Sequence, residues 1–370
     1  MPTQLRRAIR KPVRRSEADN DILLMLLSFA ASVVMTRVFL QLTGFPKLGG
    51  ESGLHIAHVL WGGLLLFVAT LLPLIFANQW VYPLTAVLSG VGVGLFVDEV
   101  GKFITATNDY FYPAAAPIIY GFFLLTVLLY FQIRRRRRVD ARGELYYALA
   151  ELTEAIDQDL DTVEMRRIEQ RLIRIKEYAT QPAQVQLAQE LLDFLHSDRL
   201  VVVEHRPDPL ERQVNRLKRL EARYFTRAIQ RGVLIAGTLL FGLLAINDPV
   251  RVLALLRDAS DPVTRLIQLD VIRSPNELSW FVLRMILQGL AGGMLLLSAG
   301  LLLLRQDRRG VLLGLIGMLF YLITVNLIVL YFDQFTYILA TVVEFGFFMS
   351  MLRYRQRFII PREPVPALSQ

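Results

Sequence analysis

The chain has 370 residues, of which 54% are hydrophobic, and a mean hydropathy of +0.42. Soluble domains of that length are rarely so apolar, and the long uncharged runs exclude a single water-soluble globule in favour of a polytopic membrane protein. The net charge of +8 does not mark a nucleic-acid binder, because the basic residues stand beside the apolar runs.

About 20 apolar residues cross the hydrocarbon core as a helix. Eight stretches qualify, roughly 21–42, 54–77, 83–104, 112–133, 229–247, 278–304, 311–332 and 335–352. The expected fold is therefore all-α, with about eight transmembrane helices. A basic segment (1–20) precedes a first four-span half (21–133); a second four-span half (229–352) is followed by a short tail (353–370). Basic clusters flank the spans: "RRAIRKPVRR" before the first, Arg134 to Arg138 after the fourth, "RQDRR" after the sixth, and Arg353, Arg355 and Arg357 after the eighth. The positive-inside rule then places both termini and the central region in the cytoplasm of a bacterial inner-membrane protein. The first span is expected to be an uncleaved signal anchor. Arg134 to Arg138 read first as a topology determinant and second as a contact for anionic lipids.

Residues 134–228 break the membrane pattern and are read as a small cytoplasmic helical domain between spans four and five. Leu145, Leu149, Leu152 and Ile156 mark one apolar face. Met165, Ile168, Leu172, Ile175 and Ala179 mark a heptad-like second face, suited to pairing between two copies of the chain. Pro182 opens a third helix with Val185, Ala188, Leu192 and Leu195 on one side. From Leu210 a basic helix runs toward span five. A faint four-plus-four repeat is suggested by "WGGLLLF" and "AGGMLLL" in spans two and six.

Charges inside a membrane are costly, so their placement is informative. At about 1.5 Å per residue, Asp98 and Glu99 lie near the outer end of span three, and His55 and His58 near the same surface on span two. Arg37 of span one, Lys102, Arg284 and Gln288 of span six, and Asn326 of span seven sit at comparable depth, with Glu344 deeper in span eight. These residues are expected to line a polar cavity open to the extracytoplasmic side. Adjacent positions on a helix point about 100° apart, so one of Asp98 and Glu99 is expected to face the cavity while the other pairs with Arg37 or Lys102. With no cysteine in the chain, any metal must be held by His, Asp or Glu. His55, His58, Asp98 and Glu99 are enough in number for a divalent ion, and a structural ion-pair network is the competing reading. Gly90, Gly92 and Gly94 follow no strand, so they read as helix-packing residues rather than a dinucleotide loop.

"LHIAHVLWGG" followed by "GVGVGLFVDEVGKF" resembles an uncharacterised family of bacterial polytopic integral-membrane proteins. In that family a His-rich, Trp-Gly span precedes a span ended by Asp-Glu. His55, His58, Trp61, Gly62, Asp98 and Glu99 match, over roughly residues 50 to 125. The resemblance implies that the histidines and the acids belong together, and it brings no activity with it. Three functions stay open: proton- or cation-coupled transport of a small solute, a sensor or scaffold signalling through the cytoplasmic helices, and a metal-dependent membrane-embedded hydrolase.

Overall fold

The computed structural model describes residues 12–44, 57–107, 109, 112–135, 140–156, 160–197, 200, 203, 212, 216, 219, 221, 225–257, 261–269 and 271–360. In chain order its α-helices are α1 (Ala18–Thr43), α2 (His58–Ile75), α3 (Val81–Asp98), α4 (Val100–Ile104), α5 (Ala115–Arg134), α6 (Ala141–Glu151), α7 (Thr153–Ile156), α8 (Thr162–Tyr178), α9 (Pro182–Leu195), α10 (Arg227–Leu256), α11 (Pro262–Gln268), α12 (Leu278–Leu303), α13 (Asp307–Phe320), α14 (Asn326–Asp333) and α15 (Ile338–Tyr354). No strand occurs among the described residues, where extended backbone pairs once, in the isolated bridge of Asp161 with Val203. The protein is an all-helical, polytopic chain, and among the described residues seven helical stretches are long and apolar enough to cross a membrane.

The last of the seven is a 53-residue run, Asp307–Ile359. As one straight helix it would place Asp307 and Tyr354 about 70 Å apart. Instead the Tyr354 hydroxyl donates to Asp307 Oδ2 at 2.8 Å, and Asn326 Nδ2 donates to Glu344 Oε2 at 2.6 Å. The run is thus a hairpin. It turns where Gln334 takes a positive φ of 49° and a 3-10 turn, Gln334–Tyr337, follows. Its two legs carry the segments expected as spans seven and eight.

Two other boundaries differ from the sequence expectation. Span five was expected to stop at residue 247, before Asp248 and Pro249, yet α10 continues to Leu256. The Asp248 carboxylate accepts from Gln288 Nε2 at 3.0 Å, so an acid that reads as a helix stop has a partner within the bundle. Span three was expected as one helix through residue 104. It breaks at Glu99, whose φ of −93° and ψ of 11° separate α3 from the single turn α4.

Contacts gather the chain into two compact units. The first contains Met1–Ala31, Trp61–Gly94 and Leu125–Asn215. Here the glycines of α3 act by close approach: a Cβ on Gly90 would meet Ser28 Cβ at 2.7 Å, and one on Gly92 would meet the Gly62 carbonyl oxygen at 2.9 Å. Ahead of α1, the Arg15 guanidinium stacks on the Tyr82 ring, 3.2 Å from its centroid.

The same unit contains the small helical domain. An Asp161–Glu164 capping box starts α8, and Asp140 caps α6 by accepting from the Gly143 N–H. Ile168, Leu172 and Ile175 are fully buried against Ala148, Leu160, Ala188 and Leu192. The heptad-like stripe of α8 is therefore consumed inside one chain. On the first helix the buried face is Ala141, Leu145 and Ala148, while Leu149 is 46% and Ile156 80% exposed. Leu152 separates α6 from α7, and Ile156 does not extend the buried stripe. Gln79, between α2 and α3, donates to the Ala150 carbonyl at 2.8 Å and ties the domain to a loop between spans. The expected basic helix from Leu210, with Val214, Leu217 and Tyr224, lies almost wholly outside the described residues, as do Arg136, Arg137 and Arg138.

The second unit contains Ser32–Leu60, Leu95–Leu124 and Arg216–Gln370. Within it α10 and α12 approach at Gly242 and Gly292, where either Cβ would crowd the other glycine's carbonyl. Asp307 collects Arg227 Nη2 at 2.8 Å, Arg231 Nε at 3.2 Å and the Tyr354 hydroxyl, joining α10, α13 and α15 at one end of the unit.

Candidate functional site

The described residues among those singled out as polar within spans all fall in the second unit, where they form three groups. The first is built from the far end of α1, the start of α2 and the α3–α4 break. Arg37, 1% exposed, reaches Asp98 Oδ1 through Nε at 2.5 Å and the Asp98 carbonyl through Nη2 at 2.9 Å. Its guanidinium also lies on the Phe335 ring, 3.2 Å from the centroid. Glu99 Oε1 takes Lys102 Nζ at 3.1 Å, within one turn of helix. Asp98 and Glu99 are each 1% exposed.

His58 joins the two acids. Its Nε2 is 3.0 Å from Asp98 Oδ2 and its Nδ1 is 3.0 Å from Glu99 Oε1. The sequence expectation that adjacent acids cannot serve one spot assumed an unbroken helix. The non-helical backbone at Glu99 swings its side chain back, so both carboxylates reach one imidazole. A neutral imidazole has one N–H and one lone pair. Nε2 lies within hydrogen-bond distance of Asp98, and the other nitrogen faces Glu99.

The two ring nitrogens point away from each other, so Asp98 and Glu99 flank the imidazole and do not converge with it on one point. Among the described residues no group of three His, Cys, Asp or Glu side chains is placed to hold a metal ion. His55 lies outside the described residues.

The second group surrounds Glu344, which is 2% exposed. Its carboxylate accepts from Asn326 Nδ2 at 2.6 Å and from the Tyr337 hydroxyl at 2.8 Å. Tyr337 and Tyr321 place their hydroxyls 3.2 Å apart. Tyr321 begins a π-helical turn, Tyr321–Val325, between α13 and α14. Such widened turns re-aim side chains and recur at functional sites. The third group comprises Arg284, paired with Asp333 at 3.0 Å, and Gln288, bonded to Asp248.

Phe335 and Tyr337 were not anticipated, because aromatic residues in a turn between spans read as interfacial anchors. They connect the first two groups: one 3-10 turn sets a ring on Arg37 and a hydroxyl on Glu344. Comparison of the chain with family models, with curated proteins and with solved structures gives no significant match.

Proposed function

We propose that this membrane protein binds and releases protons at the His58–Asp98–Glu99 site and couples them to the movement of a small solute. The observation that carries this reading is the imidazole held between two buried carboxylates. The basic segments beside the spans support an orientation with this end of the bundle on the extracytoplasmic face of a bacterial inner membrane and the termini and helical domain inside. Proton gain at the site alters the charge facing Arg37, whose ring partner Phe335 shares a turn with Tyr337, the donor to Glu344. That turn is the element through which the two buried sites can be coupled.

The test uses the purified chain in proteoliposomes with an entrapped pH dye and an imposed proton gradient. Wild type is expected to dissipate the gradient faster than His58→Asn and Glu99→Gln. Equal rates in all three and in empty vesicles would sink transport. The sensor or scaffold reading would then lead, because the helical domain has its own core and is tied to the α2–α3 loop through Gln79.

A further inference from the structure

The segment joining α10 to α12 is a folded cap. Pro262 and the Asp261 side chain, which accepts from the Val263 N–H, start α11. Leu266, Ile272 and Phe281 form a small core that holds the segment against α12. Beside that core is a half-open cavity of about 410 Å³, inside the range of about 300 to 1,000 Å³ common for small-molecule sites. Five charged residues line it: Asp248, Arg251, Arg273, Arg284 and Asp333.

The charges are unevenly matched. Asp333 is taken by Arg284 and Asp248 by Gln288. The Arg284 Nε is buried with no hydrogen-bond partner. Arg251 and Arg273 have no carboxylate partner among the described residues, and both side chains are exposed. The Arg273 main chain is fixed nonetheless, because its N–H donates to Glu277 Oε2 at 2.9 Å. A guanidinium stays charged at any physiological pH and presents a rigid fork of donors to oxyanions. Three arginines from three separate segments around one cavity, two of them without a carboxylate partner among the described residues, suit a group with several oxygens better than a two-oxygen carboxylate.

We infer that this arginine-lined cavity binds a phosphate group, carried by a small solute or by a phospholipid headgroup. The site goes beyond the proton-handling reading and does not depend on it. It shares no residue with the His58 group, and it assigns the ligand end of the molecule to the cap.

Glycerol phosphate titrated into the full chain in neutral detergent tests the inference, with binding read by calorimetry. Wild type is expected to bind saturably. The Arg251→Gln/Arg273→Gln variant is expected to bind at least about tenfold more weakly, the scale of one charge-assisted hydrogen bond. Both arginines are exposed, so the variant should elute and melt like wild type without ligand; Arg273→Gln alone serves if the pair does not fold. A second arm compares melting in nanodiscs with and without phosphatidylglycerol. Stabilisation by that lipid but not by glycerol phosphate, lost in the variant, assigns the phosphate to a headgroup. No response in wild type in either arm, or the same response in wild type and variant, overturns the site.

Discussion

Asp98 and Glu344 are two buried carboxylates in one unit, solved in opposite ways. Asp98 has a full positive charge against it, the Arg37 guanidinium, and the imidazole of His58 on its other oxygen. Glu344 has neutral donors, Asn326 and Tyr337, and no cation pairs with it among the described residues. Taking a charge out of water costs several kcal/mol even after relaxation. A matched guanidinium offsets that cost for an ion, whereas amide and hydroxyl donors tolerate either protonation form. The first acid is therefore balanced by cationic and imidazole partners and the second by neutral donors alone, and substitutions should separate them.

The largest effect is expected at Arg37. Arg37→Leu leaves Asp98 buried without its counter-charge and should cost about 3 to 5 kcal/mol, read as loss of thermal stability in detergent. Arg37→Leu with Asp98→Leu should recover much of it. A single variant that melts like wild type would mean the pair is not buried in the membrane-embedded protein. Tyr337→Phe comes next. It removes one donor from Glu344 and should cost about 1.5 to 3 kcal/mol if the carboxylate is ionised, less if it is protonated. Glu344→Gln should fall within about 1 kcal/mol of wild type, because the new amide can accept from Asn326 while the Tyr337 hydroxyl rotates to accept from it. If Glu344→Gln costs as much as Arg37→Leu, the contrast between the two sites fails.

Much of this contrast could be read from sequence, and the reasons for the rest are physical. Apolar run length gives eight expected spans, the last two of which fall in the final one of seven apolar helical stretches, and the cost of intramembrane charge picks out Arg37, Asp98, Glu99 and Glu344. The pairing of Asp98 with Arg37 was one of two partners foreseen. That both acids meet on His58 was not legible, because it depends on a helix break at Glu99, a residue type that ordinarily continues a helix. Phe335 and Tyr337 were hidden for a different reason: which ring touches which span depends on tertiary packing that no local pattern encodes. In the helical domain the α8 stripe was correctly read as buried, but periodicity cannot say whether its partner is the same chain or another.

The smallest predicted effects lie outside the spans, at two carboxylates whose pH responses oppose each other. The Arg353 side chain hydrogen-bonds Glu221 and holds its carboxyl below the ordinary value of 4.5. A depressed value in the folded state stabilises above the unfolded value and is lost as pH falls through the folded one. Glu151 goes the other way: burial raises its carboxyl, against the pull of Arg171 and Arg167. Its folded form holds the proton more tightly, so stability declines as pH rises from about 4.5 through the raised value. Glu221→Gln should therefore melt below wild type near neutrality, by less than about 1 kcal/mol for a part-exposed pair, and converge with it as pH falls through the lowered folded value. Glu151→Gln should match wild type in acid and exceed it near neutrality. Melting curves of the two variants across that range that fail to diverge in opposite directions would show that the Arg353 hydrogen bond does not lower Glu221, or that burial does not raise Glu151, in solution.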